Sequence, residues 1–247
     1  LKSLCRWFNS SPGHLVMKKI LRITIPFIFL VISCDFKPKN YFPHIDGLKW
    51  IYSVALESSY TGKNQIKRIM VTNLNVKKKG DVTELSKLYS DGSYYTYKKE
   101  DGRLQRTSVI LAFSDGIDEP VEKIVYPDLQ FNQNEWVVKE QLFLVKGFQP
   151  PLLNVKPSSQ FDMKYRVNRK YERLKVKGIF YNDCIELIGK GSTDFIGDTR
   201  SGPINVEIDN LEILCNNVGL VKQVRNENTN ASAFGNMKFV KELMSFK

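Results

Sequence analysis

Apolar and polar residues alternate along much of this chain, and no other feature constrains its fold as strongly. Between residues 48 and 57, every second position is taken by Leu48, Trp50, Tyr52, Val54 and Leu56. Residues 161–168 and 204–209 repeat the pattern. Successive side chains of a β-strand point to opposite faces of the sheet, so a period of two predicts strands with one buried face. The chain is therefore predicted to be mainly β.

Shorter runs of the same character occupy the rest of the chain. The further candidate strands are 66–76, 94–98, 104–113, 135–145, 171–176, 184–188, 211–215 and 219–224. Turn signals such as Asp91-Gly92 and Asp101-Gly102 separate them, and another turn is predicted at 168–170. This spacing predicts an antiparallel meander forming a curved sheet, a half-barrel or a sandwich. Few short helices are expected, at 82–88 and 237–244.

Residues 17–34 contain the parts of a bacterial secretion signal in the required order. Three cations at positions 18, 19 and 22 precede an apolar run, 23–32, that is too short to cross ~30 Å of hydrocarbon comfortably. The small Ser33 and then Cys34 follow, which resembles a lipobox. Signal cleavage is predicted between Ser33 and Cys34, with a diacylglycerol and an N-acyl chain on Cys34. The alternatives are a buried apolar helix and a plain transmembrane anchor.

These signals predict the organisation of the chain. Residues 1–16 are interpreted as an extension upstream of a start at Met17, 17–33 as the signal peptide and 34–46 as a tether. Residues 47–247 are predicted to form a periplasmic β domain, with a potential boundary in the proline-containing segment 147–159. The predicted location is the bacterial cell envelope, lipid-anchored and facing the periplasm. Asp35 favours the inner membrane slightly over the outer one.

The net charge of the predicted mature protein is modest. The whole chain has a formal net charge of +11, but five of its 37 basic residues and none of its 26 acidic residues lie in 1–33. The remaining +6 argues against a nucleic-acid partner. His44 is the only histidine after Cys34. No metal site, no catalytic residue and no cofactor besides the covalent lipid are therefore predicted.

Two cysteines remain once Cys34 is assigned to the lipid and Cys5 to the extension. Cys184 and Cys215 lie in different candidate strands of a chain predicted to reach an oxidising compartment. A disulfide between them is predicted, and two separate buried thiols are the alternative.

Two stretches resemble a group of bacterial lipoproteins of unknown function. The first is Tyr41-Phe42-Pro43 followed by Gly47, Trp50 and Tyr52. The second joins an Asp183-Cys184 strand to the hairpin 217–222. Asn217 stands where the group usually has glycine, but asparagine tolerates the positive φ of such a turn. The resemblance implies an envelope lipoprotein and no particular activity.

Aromatic residues of the candidate strands provide the candidate ligand-binding site. Its members are Trp50, Tyr52, Tyr94, Tyr95 and Tyr97. They could bind a lipid, a glycan or an envelope protein, although ordinary strand aromatics are the alternative. The expected function is a non-catalytic binding, carrier or assembly role in the envelope. A carboxylate-based hydrolase acting on envelope glycans and a purely structural interaction lipoprotein are the alternatives.

Overall fold

Twelve antiparallel strands form one sheet in the computed structural model of this chain, which describes residues 39–59, 62–110, 123–129, 135–144, 160–196, 202–232 and 234–247. In chain order they are β1 (Lys49–Ser58), β2 (Lys63–Lys79), β3 (Val82–Tyr89), β4 (Tyr94–Glu100), β5 (Arg103–Ile110), β6 (Lys123–Tyr126), β7 (Trp136–Glu140), β8 (Phe161–Val176), β9 (Ile179–Ile196), β10 (Pro203–Cys215), β11 (Gly219–Thr229) and β12 (Asn236–Phe246). The predicted fold class, a mainly β antiparallel meander, is confirmed.

The sheet consists of two meanders that join at its centre. Strands β1–β6 and β7–β12 each pair in sequence order, and β1 pairs with β12. The backbones of Lys49 and Lys247 extend this junction with reciprocal hydrogen bonds of 2.8 and 3.1 Å. The two edge strands are β6 and β7, and Lys123 Nζ lies 2.8 Å from Glu140 Oε1. The twist of the strands curves the sheet until it is nearly closed into a barrel, and this ion pair links its two edges.

Three local predictions were wrong. Residues 82–88 and 237–244 are not helices but parts of β3 and β12. In both strands the side chains that face the inside of the curved sheet include a lysine, which interrupts the apolar alternation expected of a strand. The predicted turn at 168–170 is instead a β-bulge between Val167 and Arg169, which leaves β8 continuous.

The apolar core lies on the inner face of the curved sheet, the face that carries Val54, Leu85 and Leu187. Two glycines of β9 leave room for large inner side chains. A Cβ on Gly189 would lie 2.5 Å from Cε1 of Tyr165, and one on Gly191 would lie 2.6 Å from Sδ of Met163. These glycines let the sheet bury large side chains against its own backbone.

The predicted disulfide is present. Cys184 of β9 and Cys215 of β10 face each other in register, with Cα atoms 4.0 Å apart and both residues buried. In the turn that follows, Asn217 has a φ of 59° and Gly219 a φ of 87°. Asparagine therefore occupies the left-handed conformation as expected.

The segment before β1 packs against the sheet. Residues Pro38–Lys247 form one compact unit. The backbone N–H of Asn217 donates to the carbonyl of Asn40 at 2.7 Å, and Asn73 Nδ2 donates to the carbonyl of Pro43 at 3.0 Å. Much of the predicted tether thus contacts the domain. The predicted signal peptide, the lipid site and the potential boundary at 147–159 lie outside the described residues. In the described ranges, no helix has the length and apolar character needed to span a membrane.

Candidate functional site: a cavity inside the curved sheet

The nearly closed sheet contains a cavity of about 450 Å³ that is partly open to solvent, here called the interior cavity. Its wall combines apolar side chains, such as Val54, Leu56 and Phe239, with tyrosines and charged groups. A recess of 110 Å³ adjoins it and extends toward Phe42 and Trp50. The two spaces share lining residues, among them Tyr89, Tyr97, Val125 and Lys241. The interior of the sheet therefore has an accessible space large enough for a small molecule.

Two lysines project from the inner face onto aromatic rings. Lys87 Nζ lies 4.1 Å from the ring centroid of Trp50 and 4.3 Å from that of Phe42. Lys241 Nζ lies 4.3 Å from the ring centroid of Tyr52. Among the described residues, neither amine has a carboxylate within ion-pair distance. Ring faces attract these cations but do not neutralise them.

Burial makes both lysines weaker bases than usual. Burial, with a smaller contribution from the positive charge of Lys241, lowers the pKa of Lys87 to about 7. Burial lowers the pKa of Lys241 to about 8, although the negative charge of Glu212 acts in the opposite direction. Both side chains keep some accessible surface because both line the recess, and Lys241 also lines the interior cavity. The site therefore holds two ammonium groups in surroundings that disfavour their charge.

A buried glutamate lies on the wall of the interior cavity. Glu212 Oε2 accepts a hydrogen bond of 2.7 Å from the hydroxyl of Tyr126. Its Oε1 accepts bonds of 3.0 Å from Asn210 Nδ2 and 3.3 Å from Gln223 Nε2. Burial raises the pKa of Glu212, and the hydrogen bonds from Tyr126 and Asn210 oppose this effect. Both carboxyl oxygens are thus already engaged.

An ion pair between Arg225 and Glu227 fixes another part of the cavity wall. Arg225 Nε and Nη2 each lie 2.8 Å from Glu227 Oε1, and Nη2 also donates to the carbonyl of Gln141 at 2.6 Å. The carboxylate of Glu227 accepts from the backbone N–H groups of Phe143 and Leu144 at 2.9 and 2.7 Å. The pair thereby holds the segment that follows β7 against β11.

Cations outnumber carboxylates around the two spaces. The lining cations are Lys87, Arg106, Lys123, Lys139, Arg225 and Lys241, and the lining carboxylates are Asp91, Glu140 and Glu212. Glu140 contacts both Lys123, at 2.8 Å, and Arg225, at 3.5 Å. Arg225 and Lys139 are paired with Glu227 and Asp162, which lie outside the lining, so the positive charge that favours an anion comes mainly from Lys87 and Lys241. Within the described ranges, His, Cys, Asp and Glu side chains form no group that could hold a metal ion.

The structure brings together four of the five predicted ligand-binding residues. Tyr95 and Tyr97 line the interior cavity, and Trp50 and Tyr52 line the recess. Trp50 Nε1 donates to the carbonyl of Val218 at 2.7 Å and the Tyr52 hydroxyl to that of Leu220 at 3.0 Å, so both polar atoms are occupied. Tyr94 lies on the outer face, where its hydroxyl accepts a hydrogen bond from Asn75 Nδ2.

Sequence reasoning missed the charged members of the site. Lys87 lies between Leu85 and Tyr89 in the inward-facing series of β3, and Lys241 lies between Phe239 and Leu243 in that of β12. The detectable signal was a lysine at an inward position of an otherwise apolar alternation. Treating both segments as helices concealed it.

Comparison with known proteins shows only distant likeness of fold. No protein family and no curated protein matches the sequence. A predicted lipoprotein of Parabacteroides distasonis has a TM-score of 0.49 and 13% identity, over 85% of this chain and 100% of that one. A predicted exported protein of Bacteroides fragilis with a YmcC-like fold has a TM-score of 0.43 and 8% identity, over 85% and 99%. Because these values are low, function is inferred here from the residues of the site itself.

Proposed function

We propose that this chain is a lipid-anchored binding protein of the bacterial cell envelope that holds a ligand in the interior cavity. The observation that carries the proposal is the cavity itself, about 450 Å³ in a site class that typically spans ~300–1,000 Å³. Its mixture of apolar wall and a few charged groups is typical of ligand sites. A protein with a purely structural role has no need of such a space.

The anchor would place the recess near the membrane. Cys34 is the expected lipid site, and Lys39, five residues later, forms an ion pair with Asp183 of the domain. A five-residue extended segment reaches at most about 18 Å. Phe42 and Pro43, close behind, line the recess. A ligand could therefore pass between the bilayer and the site over a short distance.

Mass spectrometry of the N-terminal peptide tests the anchor. We expect an acylated Cys34 as the first residue, and a Cys34→Ser variant should remain an unprocessed precursor. An unmodified Cys34 in membrane-extracted protein would contradict the assignment. Membrane fractionation tests the preference that Asp35 gives for the inner membrane.

Native mass spectrometry of the purified lipoprotein tests the cavity. We expect a copurifying small molecule that is lost in Leu56→Trp, because the larger side chain would fill the space beside Phe239. Ile66→Trp is the matched control, since Ile66 is 77% exposed. A wild-type protein that binds no small molecule under any condition would favour the purely structural alternative.

A carboxylate-based hydrolase is the second candidate. It is favoured by the raised pKa of Glu212 and by the presence of Glu140 on the same cavity wall. Against it, both Glu212 oxygens accept hydrogen bonds and Glu140 contacts two cations. Incubation with envelope glycans decides between the two: release of reducing ends that is lost in Glu212→Gln would establish the enzyme.

A further inference from the structure

We infer that the ligand of the interior cavity is an amphiphilic anion whose carboxylate or phosphate head group binds at Lys87 and Lys241. This inference rests on the proposed binding function and names the class of ligand. Its basis is the pair of ammonium groups, the apolar wall beside them and the position of both in the sheet.

Neither ammonium group has a carboxylate within ion-pair distance in the described part of the protein. Each contacts aromatic rings instead of a carboxylate, with Nζ-to-centroid distances of 4.1 Å for Lys87 on Trp50 and 4.3 Å for Lys241 on Tyr52. Burying a cation without a paired anion destabilises a protein, and two neighbouring cations repel each other. Methionine or leucine at these positions would pack on the same rings without that penalty. A bound anion would neutralise both groups at once.

The strand register indicates how the ligand would lie in the cavity. Lys241 of β12 faces Val54 of β1, and the next inward pair along the two strands is Phe239 with Leu56. Val54, Leu56 and Phe239 all line the interior cavity, as does Ile69 of β2. A head group at the lysines would therefore have an apolar wall immediately beside it. This arrangement matches a molecule with one charged end and an apolar body.

Neutral and cationic ligands suit the site less well. A neutral sugar would leave both ammonium charges uncompensated, and a cation would add to the repulsion. An ammonium group is a compact charge with no planar geometry, so it does not select between carboxylate and phosphate. The source of the anion, a fatty acid or a phosphate ester, is therefore distinguished by experiment.

The test uses the full-length lipoprotein in nanodiscs of zwitterionic phosphatidylcholine. Isothermal titration calorimetry with octanoate, octyl phosphate and octyl glucoside measures affinity for two anionic head groups and a neutral one. We expect saturable binding of at least one anion and at least tenfold weaker binding of octyl glucoside. The tighter of the two anions identifies the head-group class. Inorganic phosphate alone should bind more weakly than octyl phosphate.

The decisive variant is Lys87→Met/Lys241→Met, which keeps an unbranched apolar side chain while removing both charges. We expect its affinity for the anion to fall at least tenfold. Lys49→Met/Lys238→Met is the matched control, because it removes two charges from the exposed face of the same β1–β12 junction. Nonspecific partition into the nanodisc is common to all variants and cancels. Circular dichroism and thermal unfolding check that each variant folds.

The outcomes separate this inference from the proposed function. If octyl glucoside binds as tightly as the anions, or if the lysine variant binds them unchanged, the head-group assignment is overturned and the binding function stands. If inorganic phosphate binds as tightly as octyl phosphate, the apolar body adds nothing to binding, and the assignment of an amphiphile is overturned. If no amphiphile binds the wild type and Leu56→Trp changes nothing, both proposals fail.

Discussion

Arg225 and Glu227, two residues apart on the inner face of β11, form an ion pair whose side chains are 1% and 0% exposed. Residues i and i+2 of a strand point to the same side, which lets the guanidinium reach its neighbour's carboxylate. Through Gln141, Phe143 and Leu144 the pair also fixes the chain after β7. A buried charge pair is thus used to attach an edge of the sheet to its interior.

Removing one member of this ion pair should destabilise the protein more than removing both. Glu227→Leu leaves the buried guanidinium with only the more distant Glu140, 3.5 Å away, and is expected to lower the free energy of unfolding by ~3–5 kcal/mol. Arg225→Met/Glu227→Leu should recover the part that comes from the buried charge, although the N–H groups of Phe143 and Leu144 lack their acceptor in both variants. Urea denaturation measures both. The exposed pair Lys238 and Glu57 is the control, with an expected effect of at most ~1 kcal/mol. A double variant as unstable as the single one would refute the argument.

The disulfide should contribute measurably to stability. Cys184 and Cys215 are 31 residues apart, and closing a loop of this length stabilises by ~3–4 kcal/mol through the entropy of the unfolded chain. Cys184→Ala/Cys215→Ala should therefore unfold at lower denaturant concentration than the oxidised wild type. The measurement is repeated in reductant, where most of the difference should vanish. A difference that persists unchanged would assign the effect to packing instead.

Lys87 should make stability rise with pH above neutrality. Below pH 7 the amine is charged in both states, and the cost of its burial is complete. Between pH 7 and its ordinary value of 10.5 the unfolded chain holds a proton that the folded protein lacks, so the free energy of unfolding increases with pH. Lys87→Met should be more stable than wild type at pH 7, and this advantage should shrink by pH 9.5.

Other titrating groups determine the pH range in which Lys87 can be followed. The pKa of Lys241 is lowered to about 8, so Lys241 also makes stability rise with pH. Its contribution is common to the wild type and to Lys87→Met. Burial raises the pKa values of Tyr52, Tyr126 and Tyr165 well above 10. These tyrosines ionise near pH 10 in the unfolded chain only, which lowers stability there, so the measurements stop below pH 10. An advantage of Lys87→Met that is equal at pH 7 and 9.5 would show that Lys87 keeps its ordinary pKa.

His44 should make the protein sensitive to acid. Burial, assisted by the positive charges of Lys99 and Lys87, lowers its pKa to about 4. From pH 6.5 down to 4 the unfolded chain takes up a proton that the folded protein does not, so stability falls through this window. Carboxylates titrate there as well, and the quantity to measure is therefore the difference between wild type and His44→Gln. On acidification, the free energy of unfolding should fall less for His44→Gln than for the wild type. A constant difference between the two proteins would refute the lowered pKa of His44.

Gly189 should not tolerate a side chain while Tyr165 is present. A Cβ there would lie 2.5 Å from the ring, closer than packing allows. Gly189→Ala is expected to cost ~1–3 kcal/mol, as overpacked cores generally do. Gly189→Ala/Tyr165→Leu tests the cause, because removing the ring should relieve the clash although it also removes the hydroxyl bonded to Asn210. If the destabilisation of the double variant equals the sum of those of Gly189→Ala and Tyr165→Leu measured separately, the clash is refuted.

The fold class could be predicted because most inward positions are apolar. Residues such as Trp50, Tyr52 and Val54 give a clear period of two, and the turns at Asp91-Gly92 and Asp101-Gly102 lie between strands as expected. The meander prediction also places most strands beside their sequence neighbours, but the pairing of β1 with β12 could not be predicted, since alternation shows which face is buried and not which distant strand lies next to it.

The candidate site was predicted only in its aromatic part, and the reason is physical. Lys87 and Lys241 place charge where the pattern requires an apolar residue, so the two strands that carry them were the two mistaken for helices. Positions that contradict the local pattern of a fold are where function is expected to have overridden stability. The error in secondary structure and the omission in the site thus have one cause.

The junction between β1 and β12 has a consequence for how the chain is made. Among the strands that the structure describes, ten of the eleven pairs join neighbours in the sequence, so each can form as soon as its second strand is available. Strand β1 must instead wait, with one row of backbone groups unpaired, until β12 is complete. An open edge of this kind is a template for aggregation. The slowest folding step, and the one most exposed to aggregation, is therefore expected to be the pairing of β1 with β12.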